Sequence, residues 1–173
     1  ALAVSPRGDR LYLVDNSGDT HAWILDPSGT QALRQEWVLP GEAWNLALSP
    51  DGRTLAQGDR GGALTLVDAA RGTVRTWLRA TTGESGGPRN SLSLAFSPDN
   101  RELAVGTSQG QIQVWSVTDP SAPLVRLPGH RGFTTLAYDP NGRYLATGGG
   151  DKLIDVWDMP RVRAALDQLG LGW

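Results

Sequence analysis

Proline recurs at positions 6, 50, 98 and 140, and each stands in the same frame of neighbours. Leucine lies four residues before it (Leu2, Leu46, Leu94, Leu136) and alanine three before (Ala3, Ala47, Ala95, Ala137). Another leucine lies five residues after (Leu11, Leu55, Leu103, Leu145), and a large apolar residue seventeen after (Trp23, Val67, Trp115, Trp157). The prolines are 44, 48 and 42 residues apart, so the chain varies in length only outside this frame. A period of this size is the mark of one supersecondary unit repeated, each copy burying its apolar faces on its neighbours.

Within a unit the pattern is one of strands and tight turns. Residues 91–97 and 102–107 read as strands separated by Ser97-Pro98-Asp99-Asn100. Proline presets one backbone angle of that turn, and Asn tolerates a left-handed backbone. Gly8, Gly52 and Gly142 occupy the Asn100 position in the other units, which predicts a positive φ there. A third strand over 111–117 follows the turn Ser108-Gln109-Gly110, and fourth strands are expected around 35–39, 74–79 and 124–127. Four antiparallel strands per unit make the blade of a β-propeller. The expectation is therefore an all-β fold of about four blades, near 1–39, 40–79, 80–127 and 128–158. Beyond them, residues 160–169 read as a short helix in a tail of 160–173, with Asp158 as cap, Pro160 in the first turn and Gly170 at the stop. Val162, Ala165, Leu166 and Leu169 would form its apolar face.

The last unit reads Gly129-His130, Tyr138-Asp139-Pro140-Asn141-Gly142, Leu145-Ala146-Thr147-Gly148-Gly149-Gly150-Asp151-Lys152 and Val156-Trp157-Asp158. In these motifs the chain resembles the WD40 repeat family. The resemblance implies a structural tetrad of His130, Thr147, Asp151 and Trp157, in which Asp151 orients the imidazole and the threonine hydroxyl links it to the indole. The other units depart from it, with Val105 and Gln109 in the third, Val67 in the second and Trp23 without a histidine in the first. Rings of this family usually take their last outer strand from the N-terminus. The reading here is an unfinished ring with residues 153–157 as an open edge. The missing blades are expected from an N-terminal segment or from a second copy of the chain. Bacterial members often follow a signalling domain such as a kinase. The single lysine against fifteen arginines, with abundant Ala, Gly and Leu, reads as a GC-rich, bacterial-type genome.

A net charge of −2 argues against a general nucleic-acid binder, which carries a basic stripe. The chain has no cysteine, so it holds neither disulfides nor thiolate metal sites, and a cytoplasmic location is the expectation. No apolar run reaches the ~20 residues that span a bilayer. No cofactor and no metal site are read from the sequence.

The leading functional reading is a non-catalytic protein-interaction scaffold that presents loops to a protein partner. Trp44 starts a first strand where other units have Leu92 and Thr134, so packing does not demand it. With Arg60, Arg89 and Arg131, all in turns or connectors of the same end, it forms the candidate partner-binding set, because Trp and Arg dominate binding hot spots. Trp37 and Trp77, on outer strands, read as packing between blades, and Trp173 as packing on the last blade. Two other readings are weighed. Gly83-Glu84-Ser85-Gly86-Gly87-Pro88 resembles the nucleophile segment of chymotrypsin-like proteases, which would make Ser85 the centre of a serine hydrolase. Only His21 and His130 exist to serve it, and no helix follows as a nucleophile elbow requires. The other alternative is a purely structural half-ring that oligomerises. Asp15-Asn16-Ser17-Gly18-Asp19 is too short for an EF-hand and reads as a hairpin turn.

Overall fold

A computed structural model describes residues 1–26, 33–79, 93–132 and 134–171. The described residues form four antiparallel sheets in chain order. The first holds β1 (Leu2–Val4), β2 (Arg10–Val14), β3 (Thr20–Ile24) and β4 (Arg34–Leu39). The second holds β5 (Ala43–Leu48), β6 (Thr54–Asp59), β7 (Ala63–Asp68) and β8 (Thr73–Arg79). The third holds β9 (Ser93–Phe96), β10 (Glu102–Gly106), β11 (Ile112–Ser116) and β12 (Pro123–Leu127). The last has three strands, β13 (Thr134–Tyr138), β14 (Tyr144–Gly149) and β15 (Ile154–Asp158), followed by α1 (Met159–Gln168). The innermost strands lie side by side, β1 on β5, β5 on β9 and β9 on β13, so the blades succeed one another as in a propeller.

A serine before the proline anchors the turn in the first three blades, each through a hydroxyl hydrogen bond of 2.6 Å: Ser49 and Ser97 donate to Asp51 and Asp99 just after the proline, and Ser5 to Asp9 two residues further on. Gly8, Gly52, Asn100 and Gly142 close these turns with φ of 70°, 72°, 64° and 69°. A second positive-φ position follows twelve residues after each proline, in the hairpin between second and third strands. It is Gly18, Gly62 and Gly110 in three blades and Lys152 in the last (φ 66°).

Each seam between blades pairs two different faces. One is the alanine-bearing face of a sheet, and the other is the leucine-bearing face of the next. Tyr12, Ala22 and Trp37 meet Leu46, Leu55 and Val67. Ala56, Leu64 and Leu66 meet Phe96, Leu103 and Trp115. Ala104, Ile112 and Val114 meet Leu136, Leu145 and Trp157. The frame of leucines and alanines read from the sequence is thus the two sides of every seam, and each fully buried aliphatic side chain there contributes about 2 kcal/mol. The leucine-bearing face of the first sheet has no partner among the described residues, with Leu2 64% and Val4 50% exposed. On the last sheet Ile154 is 77% and Val156 62% exposed, and among the described residues β15 pairs with β14 alone.

Helix α1 starts at Asp158, whose carboxylate accepts from the Arg161 amide at 3.3 Å. Its buried side differs from the sequence reading. Met159 is fully buried and Val162 packs on the seam, while Leu169 and Ala165 are exposed. Arg163 fixes the rotation, because its guanidinium makes a forked hydrogen bond to the buried Glu102 carboxylate, with Nε at 3.1 Å. The Tyr138 hydroxyl donates to the other Glu102 oxygen at 3.2 Å. Burial, reinforced by that carboxylate, pushes the Tyr138 phenol well above its ordinary range.

Candidate functional site

One end of the sheets carries the hairpins between second and third strands and the connectors that enter each first strand. Trp44 stands at this end. A β-bulge between Ala43 and Asn45 removes it from the β5–β6 pairing, and it is 45% exposed. Arg60, in the β6–β7 hairpin, lies over its ring with Cζ 3.8 Å from the centroid. This stacking holds two large side chains in one orientation at the surface, at a strength of about 1 kcal/mol or less. Asn16, Ser17 and Gly18 of the neighbouring blade complete a surface cavity of about 270 Å³ against the pair. Arg131 is exposed at the same end of the last sheet, where its amide donates to Asp151 at 3.2 Å. The structure brings Trp44 and Arg60 together and places Arg131 in a separate blade. Arg89 and the 83–88 segment with Ser85 lie outside the described residues, as does Trp173.

The last blade holds a polar chain. His130 Nδ1 is 3.1 Å from Asp151 Oδ1, and Nε2 is 3.1 Å from Thr147 Oγ1. The Trp157 indole N–H donates to the same hydroxyl at 3.3 Å. Partial burial works to raise the Asp151 carboxyl, but the Leu153 and Arg131 amides and His130 hold it below the usual carboxylate value. Glycine is required around this network. A Cβ on Gly149 would come 2.1 Å from His130 Cβ. Gly129 and Gly110 approach backbone to backbone across the seam, so that a Cβ on Gly129 would lie 1.4 Å from the Gly110 carbonyl oxygen.

The other blades are built differently here. In the third, Gln113 Oε1 accepts from the Trp115 indole at 3.1 Å. At the first seam, Thr20 donates to the buried Gln57 at 2.7 Å. The Trp23 indole is buried without an acceptor among the described residues. Sequence reasoning missed both glutamines, although Gln113 lies two residues from Trp115 on one strand and therefore shares its face. His21 is also engaged, with Nε2 2.9 Å from Asp15 and Nδ1 3.0 Å from the Gln35 amide nitrogen. Asp15 receives in addition the amides of Ser17, Gly18 and Asp19, so its carboxylate is occupied by the turn. The hydrogen bond from His21 and these amides lower the Asp15 carboxyl.

The aromatic residues of the outer strands separate. Trp37 packs between blades, 5.9 Å from the Tyr12 ring centroid, and donates to the Ala69 carbonyl at 3.2 Å. Trp77 does not pack as the sequence reading holds, because it is 70% exposed.

These sheets, seams and connectors define a repeat-built propeller. Residues 80–116 and 121–158 match the WD40 family, described as WD domain, G-beta repeat, and are WD40 repeats. No curated protein matches the chain. Among solved structures, the chain resembles one entitled "Crystal Structure of Mitotic Checkpoint Complex", at 19% identity and a TM-score of 0.74 over 92% of this chain and 47% of that one. It also resembles "Structure of U3-55K", at 22% identity and a TM-score of 0.74 over 92% of this chain and 48% of that one. The chain spans about half the length of these structures, and at such identities the likeness establishes the fold.

Proposed function

We propose that the chain is a non-catalytic interaction scaffold that binds a protein partner through the end bearing Trp44, Arg60 and Arg131. The observation that carries this reading is the bulge at β5. It takes a tryptophan out of the sheet, leaves it exposed and backs it with a stacked guanidinium, which is a preformed anchor of the kind that dominates interfaces. Rigid seams below and connectors above are the arrangement by which propellers present loops. The non-catalytic part rests on the histidines. The chain has two, and each already holds an aspartate and another side chain in a structural bond. The exposed leucine-bearing face of the first sheet and the exposed face and edge of the last are covered by further blades, from another segment or from a second copy. Light scattering at twice the chain mass supports the second copy; a monomer that binds no hydrophobic dye sinks the covered-face reading.

Quantitative partner capture tests the anchor. Trp44→Ala and Arg60→Ala are expected to weaken capture of any partner held by the wild-type chain by about tenfold or more, with unchanged melting temperature. Equal capture by both variants removes the Trp44 end from consideration. Labelling by a fluorophosphonate that disappears in Ser85→Ala would overturn the scaffold reading itself.

A further inference from the structure

The repeat frame places Gln57 and Thr65 of the second blade in register with Thr147 and Asp155 of the last, and the Pro40 connector, which enters β5 through its bulge, stands where His130 enters the last blade by sequence count. In the last blade the imidazole fills that position, against Thr147 and within 3.7 Å of Asp155. In the second blade no imidazole is present, and a cavity of about 340 Å³ stands there, lined by Leu39, Pro40, Gln57, Thr65 and Trp77, with Glu42 and Asp59. The lining combines an indole exposed over most of its surface with two carboxylates, and no Lys or Arg is among the described lining residues. Glu42 makes no hydrogen bond or ion pair among the described residues. A hydrogen-bonding floor is already set, because Gln57 is buried and tied to Thr20.

We infer that this cavity is a docking site for an arginine side chain of a protein partner. Three features converge on that occupant. The flat guanidinium stacks on an exposed indole, as Arg60 does on Trp44 in this same chain. Its forked N–H groups meet carboxylates, and two lie in the same lining, Glu42 and Asp59, the latter keeping Oδ1 on the Ala63 amide at 2.8 Å. The apolar stem of arginine suits the leucine and proline that complete the cavity. The site goes beyond the Trp44 anchor, whose cavity adjoins it and shares Glu42 and Ala43, so Trp77→Ala, on the side away from Trp44, is the variant that separates the two.

The test is a titration of the intact, nitrogen-15-labelled chain with the acetylated, amidated tripeptide Ala-Arg-Ala, followed through the Trp77 indole N–H and the Thr65 amide. The control peptide carries citrulline, which keeps the shape and loses the charge. Saturable shifts at both signals are expected at millimolar peptide. Citrulline, Glu42→Gln and Trp77→Ala are each expected to weaken binding by about tenfold, with Thr65 as the reporter in the last case. No saturable shift at Trp77, equal binding of citrulline, or shifts confined to Trp44 and Arg60 overturns the inference. Trp77 is mostly exposed, so Trp77→Ala leaves the seam intact, and Glu42→Gln provides a second variant on a different element.

Discussion

His130→Ala measures how much a polar chain contributes to a blade with only one covered face. The imidazole is 1% exposed and makes two hydrogen bonds, one to a carboxylate and one to a hydroxyl. A neutral bond contributes about 1 kcal/mol and a charge-assisted one about 2 kcal/mol, which sets the scale of the loss at about 3 kcal/mol. The loss is softened because Asp151 keeps the amides of Leu153 and Arg131, and Thr147 keeps the Trp157 indole. Empty space beside Gly149 acts in the opposite direction, since the imidazole is what packs there. The expected cost is therefore about 2–3 kcal/mol. In a repeat array this cost falls on one blade. Amide hydrogen exchange on β14 and β15 is the assay, with β6 and β7 as the internal reference. Exchange in the last blade is expected to accelerate by about 30- to 150-fold, while the second blade is unchanged. A change below about 0.5 kcal/mol in β14 and β15 would refute the argument that the network holds this blade. So would an equal loss in β6 and β7.

Two further outcomes follow from the turns. Lys152 occupies the hairpin position that is glycine in the other three blades, at φ 66°, so Lys152→Gly relieves a left-handed strain and raises stability by about 0.5–1 kcal/mol, read by thermal melting. A lowered melting temperature would show that the lysine side chain has a compensating role. Asp68, Asp9 and Asp139 are each held below the ordinary 3.8, by the Arg75, Ser5 and Tyr144 hydrogen bonds respectively. Because the folded value is the lower one, this stability is present above about pH 4 and is lost as pH falls further. Asp68→Asn is expected to flatten part of the acid limb of the melting temperature against pH, and an unchanged limb would contradict the assignment.

Much of the architecture was legible because the repeat writes both sides of every seam into fixed positions. Leu103 and Ala104 are neighbours in sequence and point into different seams, a direct consequence of the two-residue period of a strand. The turn residues were legible for the same reason, since only a few residue types accept φ near 70°. The two outer-strand tryptophans were not separable. Trp37 stands opposite Ala22 and Trp77 opposite Thr65, so they occupy different faces of their sheets. The bulges stand at the same place in both sheets, but Trp37 lies two residues beyond Gln35, the partner of Trp23, whereas Trp77 lies three beyond Val74, the partner of Val67, and a one-residue change of register exchanges faces. Nor does a sequence disclose the backbone contact of Gly110 with Gly129, which joins residues from different blade elements.

The same structural position has been resolved in two ways, and energetics explains why. The last blade has an exposed second face and lacks a fourth strand among the described residues, so hydrophobic burial holds it less firmly than its neighbours. A buried, fully connected polar chain is worth most where burial is least, and His130 with Asp151, Thr147 and Trp157 stands there. The second blade is covered on both faces by apolar seams of leucine, valine and alanine and does not need the imidazole for its stability. Freed from that task, its position keeps only the Gln57–Thr20 bond as a floor and leaves an indole and two carboxylates around a cavity.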